Sequence, residues 1–142
     1  MQIAKLLVMS VVLVLLMQGA SLNASAHERR QVADTYEFRV GVLTEPLVTG
    51  QMNGIDLRIT QTQLNQLVEG VQETLQAELI VGEQVKGVAL QPRAGLAGNY
   101  TAPFISTQAG NLTFRFRGTI DGMPIDEQFD LRVLSAADLQ FP

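Results

Sequence analysis

The cleanest alternation of apolar and polar side chains in the sequence is Leu112-Thr113-Phe114-Arg115-Phe116-Arg117. Neighbouring side chains of a β-strand point to opposite faces, so this stretch predicts a strand with one buried and one solvated face. The turn pair Asp121-Gly122 follows it, and the run from Ile125 to Leu134 returns with strand composition. The region therefore predicts a β-hairpin in an antiparallel sheet.

Five more short runs rich in β-branched and aromatic residues are separated by turn residues, among them Asn53-Gly54 and the loop from Pro92 to Gly98. The runs are Tyr36 to Leu43, Ile55 to Thr60, Leu75 to Val81, Lys86 to Gln91, and Asn99 to Ile105. Their spacing predicts an all-β antiparallel sandwich of about seven strands over residues 36–134. The C-terminal tail, residues 135–142, is expected to form one helical turn or to fray.

Residues 61–71 and the run after them fit two patterns. Apolar residues recur at the spacing of an amphipathic helix, but Gly70 interrupts the pattern and the surrounding sequence favours strands. An extended loop with at most one helical turn, from Thr62 to Val68, is expected here. The apolar residues at helical spacing are Leu64, Leu67, Val68, Val71, Leu75 and Leu79.

The first 26 residues have the layout of a secretory signal peptide. Lys5 precedes an apolar run from Leu6 to Met17, and Ala24-Ser25-Ala26 matches an A-x-A cleavage site. The run is shorter than the roughly 20 residues of a membrane-spanning helix. The pattern predicts a signal helix that is cleaved, an N-terminal arm over residues 27–35 and export to the periplasm or the cell exterior. The alternative is an uncleaved membrane anchor.

The mature chain would have 116 residues, enough for one domain with its own core. It contains no cysteine, which excludes disulfides, a thiolate metal site and a cysteine nucleophile. Nine basic residues against 14 acidic ones make a nucleic-acid partner improbable, because phosphates need a basic surface. No later segment approaches membrane-spanning length. The mature protein is expected to be a monomer without a transmembrane segment.

Several motifs lie along the chain after residue 26. They are Glu45-Pro46, Asn53-Gly54-Ile55-Asp56-Leu57-Arg58-Ile59-Thr60, Val68-Glu69-Gly70-Val71, Gly98-Asn99-Tyr100-Thr101-Ala102 and Gly110-Asn111-Leu112-Thr113-Phe114-Arg115-Phe116. Together these motifs resemble exported bacterial YtkA-like domains and, more loosely, the copper-resistance proteins of the CopC type. The resemblance covers roughly residues 27 to 133 and implies an immunoglobulin-like β-sandwich.

Proteins of the CopC type are periplasmic copper carriers whose mature chains begin with a histidine. The resemblance implies a Cu(II) site made of the N-terminal amine and imidazole, a second histidine and a carboxylate. Of these ligands only His27 has a counterpart, because it is the only histidine in the chain. Met52 and Met123 are the only methionines after residue 26, so the Met-rich clusters that bind Cu(I) are absent from the sequence.

His27 is nevertheless a candidate copper ligand on its own chemistry. If cleavage follows Ala26, its α-amine and ring Nδ1 lie on one residue, and Glu28 is a nearby carboxylate. Amine and imidazole nitrogens suit Cu(II). The alternative is an exposed histidine on a flexible, charged arm.

The other charged residues have simpler interpretations. The acidic residues of the last hairpin lack the D-x-D-x-D-G pattern of a calcium loop and are read as a solvated rim. Arg115 and Arg117 are expected to pair across strands with Asp130 or Glu127. The acidic residues of the rim are Asp121, Asp126, Glu127 and Asp130.

The sequence offers little for catalysis. A serine nucleophile needs a neighbouring base, and the sole histidine lies at the expected terminus. The glycines match neither a dinucleotide-binding motif nor a P-loop. The expected function is a non-enzymatic extracytoplasmic β-sandwich module involved in copper binding or delivery. The alternative is a structural or protein-binding module with no metal role, attached to an unidentified envelope or membrane protein.

Overall fold

The computed structural model describes residues 27–142. The expected signal helix, residues 1–26, lies outside the described residues. The described part is all-β, with eleven strands and two short 3₁₀-helices. The strands are β1 Glu28–Val32, β2 Tyr36–Val42, β3 Met52–Gln61, β4 Gln66–Leu67, β5 Leu75–Val81, β6 Gln84–Val88, β7 Gln91–Pro92, β8 Asn99–Thr101, β9 Pro103–Ile105, β10 Gly110–Ile120 and β11 Met123–Val133, and the 3₁₀-helices are Val71–Glu73 and Ala137–Leu139.

The strands form two antiparallel sheets that face each other. The first sheet has the order β1-β2-β3-β8-β7, with β4 and β9 also paired to β3. The second has the order β11-β10-β5-β6. The chain segment after β2 joins the two sheets, because the amide of Leu134 donates to the carbonyl of Leu47 and the amide of Thr49 donates to the carbonyl of Leu134, each at 2.9 Å. This architecture confirms the all-β sandwich predicted from the alternation.

The core lies between the two sheets and is built from their inward-facing residues. Phe38 of the first sheet stacks against Phe129 at 6.4 Å and meets the edge of Phe116, also at 6.4 Å. Phe116 and Phe129 meet at 5.9 Å. The buried hydrophobic cluster of the described residues runs from Val32 to Val133. Tyr100, Phe104, Phe114 and Phe116 are all buried in this core.

The turn predicted at Asn53-Gly54 is wrong, because both residues lie within strand β3. The Asn53 side chain takes the place of a backbone pair: its amide donates to the carbonyl of Thr44 at 2.7 Å, and its Oδ1 accepts from the amide of Thr44 at 3.1 Å. A Cβ at Gly54 would lie 2.7 Å from the Leu43 side chain. Asn53 and Gly54 therefore allow the chain after β2 to pack closely against β3.

The N-terminal arm contains strand β1, which pairs with β2 from Glu28 opposite Val40 to Val32 opposite Tyr36. Ala33 and Asp34 turn the chain with positive φ angles of 51° and 52°. Both central residues of a type I′ hairpin turn need positive φ. Residues 28–32 are thus part of the sheet rather than a flexible arm.

Residues 61–71, which fitted both a helix and a loop, form no amphipathic helix. Residues 62–65 make a turn, β4 follows, and Val71–Glu73 is a single 3₁₀ turn. The expected strand from Asn99 to Ile105 is divided at Ala102 into β8 and β9, with Pro103 at the start of β9. The tail has a 3₁₀ turn, as one of its two expected forms. No helix among residues 27–142 is long and apolar enough to cross a membrane.

Candidate functional site around His27

The side chain of His27 lies on the solvent face of the first sheet and contacts a carboxylate two strands away. Glu28 faces Val40, so the next position of the same antiparallel pairing places His27 opposite Gly41. On its other side Gly41 faces Asp56. Because Gly41 has no side chain, His27 and Asp56 meet across strand β2, with 2.9 Å between His27 Nε2 and Asp56 Oδ2.

Asp56 connects His27 to a cation at the opposite side of the sheet. The guanidinium of Arg93, just after β7, donates to Asp56 Oδ1 at 3.3 Å. The side chains of His27 and Asp56 are only 18% and 16% exposed. An ionised carboxylate only accepts hydrogen bonds, so the tautomer of His27 that donates in this contact is the one with its proton on Nε2. In the neutral ring, Nδ1 then has the lone pair that binds metals.

Glu28 does not approach the ring of His27. Adjacent residues of a strand point to opposite faces, and Glu28 accepts a hydrogen bond from Arg30 Nε at 3.0 Å. Arg30 also donates to the carbonyl of Gln128 at 2.7 Å and lies 4.1 Å from the centre of the Phe129 ring. The carboxylate that the structure places beside His27 is Asp56, which was not among the candidate ligands in the sequence. The alternating patterns of β2 and β3, which put Gly41 and Asp56 on the same face of the sheet, were the available signal for it.

The donor set near His27 is small. Among residues 27–142, no group of three or more histidine, cysteine, aspartate or glutamate side chains is placed to hold a metal ion. A metal at this place would therefore depend on the amine and imidazole of His27 itself, with Asp56 orienting the ring. Metal-binding histidines usually donate their second ring N–H to a carboxylate or carbonyl, which is the arrangement of His27 and Asp56. The nitrogen ligands of His27 thus fit Cu(II) in kind.

The acidic residues of the last hairpin bind protein groups rather than converge on one point. Asp121 accepts from the Tyr36 hydroxyl at 3.1 Å, and Asp130 accepts from the Thr113 hydroxyl at 2.6 Å. Glu127 accepts from Arg30 at 3.1 Å. This dispersed arrangement agrees with a solvated rim.

The predicted partners of Arg115 and Arg117 are wrong. Arg115 donates to Asp126 through Nε at 2.8 Å and Nη2 at 2.7 Å, and Arg117 pairs with Glu78 at 2.8 Å. Glu78 lies on β5, the other neighbour of β10, where it faces Arg115 directly. The hydrogen bond from Arg115 lowers the pKa of Asp126 below its ordinary value. The sequence predicted cross-strand pairs, but Arg115 binds a different residue of β11, and Arg117 binds an acid of β5.

Comparison with known proteins supports the fold only. No protein-family model matches the chain, and no curated protein matches it. Among solved structures it is similar to a DUF4426 family protein from Pseudomonas aeruginosa PAO1, with 15% identity and a TM-score of 0.56 over 77% of this chain and 95% of that one. It is also similar to the Lin-41 filamin domain, with 14% identity and a TM-score of 0.47 over 66% of this chain and 90% of that one.

Both structures have immunoglobulin-like folds. The DUF4426 structure supports an immunoglobulin-like sandwich for this chain, and at that identity the likeness concerns the fold alone. The more specific resemblance to YtkA-like and CopC-type proteins has no matching family model and stays a prediction.

Proposed function

We propose that the protein is an exported, non-enzymatic β-sandwich module that binds one Cu(II) ion at His27. The observation that carries the proposal is the contact between His27 and Asp56 at the start of β1. It holds the imidazole of His27 against the first sheet. The proposal also requires cleavage after Ala26, which would put the α-amine on the same residue.

The geometry favours binding by lowering the cost of ordering the ligand. A histidine on a flexible arm would lose conformational freedom when it binds a metal, and that loss reduces affinity. Here β1 is paired with β2 along its length, and Asp56 holds the ring from the far side of Gly41. The amine and Nδ1 of His27 would supply two nitrogen ligands, and water or a backbone group would complete the coordination.

We expect the chain that begins at His27 to bind one Cu(II) per protein, and His27→Ala should abolish that uptake. Retaining Ala26 moves the amine to another residue and should weaken binding at least about tenfold, since the two nitrogens are no longer preorganised together. Asp56→Asn should weaken it about 10- to 100-fold, as is typical when the carboxylate partner of a ligand histidine is removed. Isothermal titration and electron paramagnetic resonance measure these effects.

Glu28→Gln is the matched control, because Glu28 is the adjacent carboxylate but lies on the opposite face of β1. Its copper affinity should stay within about twofold of the parent, since exposed charges contribute little at a distance. Equal losses in Glu28→Gln and Asp56→Asn would contradict the orienting role of Asp56. Absence of copper uptake at low micromolar metal, with the terminus confirmed by mass spectrometry, would reject the metal function.

The alternative function is protein binding without a metal, and one edge of the second sheet favours it. Among residues 27–142, strand β6 pairs only with β5, and its outer edge offers backbone groups to an extended strand of an envelope partner. An open groove of about 280 Å³ runs beside it and is lined by both apolar and polar side chains. Val85 and Ile105 at this groove are 59% and 49% exposed. Failure of copper binding would favour this alternative.

A further inference from the structure

Three arginines form a row on the solvent face of the first sheet. Arg29 of β1 faces Arg39 of β2, and Arg39 faces Arg58 of β3. The neighbours of Arg39 in its strand, Phe38 and Val40, point into the core, so the row points to solvent. Neighbouring strands are about 4.8 Å apart, which makes the row roughly 10 Å long.

The row has no ion-pair partner among residues 27–142. Within residues 27–142, the ion pairs of arginine involve Arg30, Arg93, Arg115 and Arg117, and none involves a member of the row. Like charges directly opposite each other on neighbouring strands destabilise a sheet. The chain has 14 acidic residues against 10 basic ones, so a shortage of carboxylates does not explain the row.

The second sheet shows the usual arrangement in the same molecule. There Arg115 faces Glu78 across strands, and its guanidinium also binds Asp126. An arginine row kept without such partners costs stability, and local costs of this kind are typical of functional sites.

The side chains around the row form a shallow polar concavity of about 210 Å³. Thr60 and Asn65 add a hydroxyl and an amide to the three guanidinium groups. Glu37 is the one acid in the lining, so three positive charges stand against one negative charge. Hydrogen-bond donors with excess positive charge are the chemistry that binds oxyanions.

We infer that the row formed by Arg29, Arg39 and Arg58 is a recognition site for a multivalent oxyanion, a ligand with two or more phosphate groups a few ångströms apart. Each guanidinium presents a planar fork that binds one such group through two hydrogen bonds. Because the three arginines lie on neighbouring strands, with their backbones about one strand spacing apart, a ligand with linked phosphate groups can engage two of them together, whereas a single phosphate engages fewer. The site is independent of copper and does not use His27.

The test titrates the protein with pyrophosphate and with inorganic phosphate at constant ionic strength. Arg39 is the central member of the row. Arg39→Gln should therefore lower pyrophosphate affinity at least about tenfold, because it removes a contact made of two hydrogen bonds. Arg39→Lys keeps the charge but loses the fork, and it should give an intermediate affinity. Inorganic phosphate should bind at least about tenfold more weakly than pyrophosphate, because it cannot engage two forks at once.

Arg132→Gln is the matched control, since Arg132 is an exposed arginine of β11 in none of the ion pairs of the described residues. Its pyrophosphate affinity should stay within about twofold of the parent. Thermal unfolding supplies a second readout: Arg39→Gln removes a like-charge contact and should leave the unfolding temperature unchanged or raise it. Equal losses of affinity in Arg39→Gln and Arg132→Gln, or a lower unfolding temperature for Arg39→Gln, would overturn the inference.

The source of the phosphate groups is distinguished in a second arm with phosphatidylcholine vesicles, prepared with and without phosphatidylinositol bisphosphate. Binding to pyrophosphate in solution that depends on Arg39 assigns the site to a free anion. Binding that depends on Arg39 and occurs only on the bisphosphate vesicles assigns it to a lipid headgroup. Absence of saturable binding to both probes overturns the site.

Discussion

Replacing Phe116 with alanine is expected to lower the free energy of unfolding by roughly 3 to 5 kcal/mol, the range for removing a buried phenylalanine from a core. Phe116 is fully buried on the second sheet. Its ring contacts Phe38 of the facing sheet at 6.4 Å and Phe129 of the neighbouring strand at 5.9 Å. The substitution removes both ring contacts and leaves a cavity between the sheets, where paired strands limit collapse.

Urea unfolding followed by circular dichroism measures this effect. Phe141→Ala is the matched control, because the Phe141 side chain is 97% exposed. Its unfolding free energy should stay within about 0.5 kcal/mol of the parent, as is usual for surface substitutions. Phe116→Leu retains much of the buried volume and should fall between the two. A loss below about 1 kcal/mol for Phe116→Ala would contradict the central place of this ring in the core.

The sequence predicts well those strands whose own residues carry the pattern. Strand β10 alternates without interruption around Phe114 and Phe116, and β5 was predicted with the bounds observed. Strand β1 was missed because only Val32 in its sequence is apolar and buried. It is held by pairing with β2 and by Arg30, which packs on Phe129 of the other sheet. Such long-range contacts leave no local periodicity.

Turn composition gives a wrong prediction where the same residue types serve tertiary contacts instead. Asn53-Gly54 has the composition of a turn, but Asn53 bonds the backbone of Thr44, and Gly54 allows Leu43 to approach. Both reasons depend on a segment about ten residues away, so the dipeptide alone gives no sign of them. Propensity is therefore a weak guide when tertiary contacts use the same residues.

The candidate sites show the same division between local and distant information. His27 was identified from the expected cleavage point and the chemistry of its side chain. Its partner Asp56 lies 29 positions away and meets it only because β1, β2 and β3 are adjacent and Gly41 lies between them. The arginine row likewise exists only in the strand pairing, since Arg29, Arg39 and Arg58 are well separated in sequence.

Replacing Gly118 with alanine is expected to destabilise the fold by roughly 3 kcal/mol or more, because backbone strain and steric overlap act together. Gly118 lies within β10 with a φ angle of +142°, which residues with a Cβ rarely adopt. A Cβ there would lie 2.0 Å from the carbonyl oxygen of Thr74. That oxygen accepts the amide of Thr119 at 3.2 Å, so moving it away would break a backbone hydrogen bond.

Gly87→Ala is the matched control for the Gly118 prediction, since Gly87 also lies in a strand of the second sheet. A Cβ at Gly87 would have no atom within 4 Å, and its φ angle is not in the left-handed region. This substitution should leave stability unchanged or raise it by up to about 1 kcal/mol, because alanine restricts the unfolded chain. Urea unfolding of both variants measures the difference. Equal effects at the two positions would show that the Thr74 carbonyl can move away, and the close contact between Gly118 and Thr74 would then not be a fixed part of the fold.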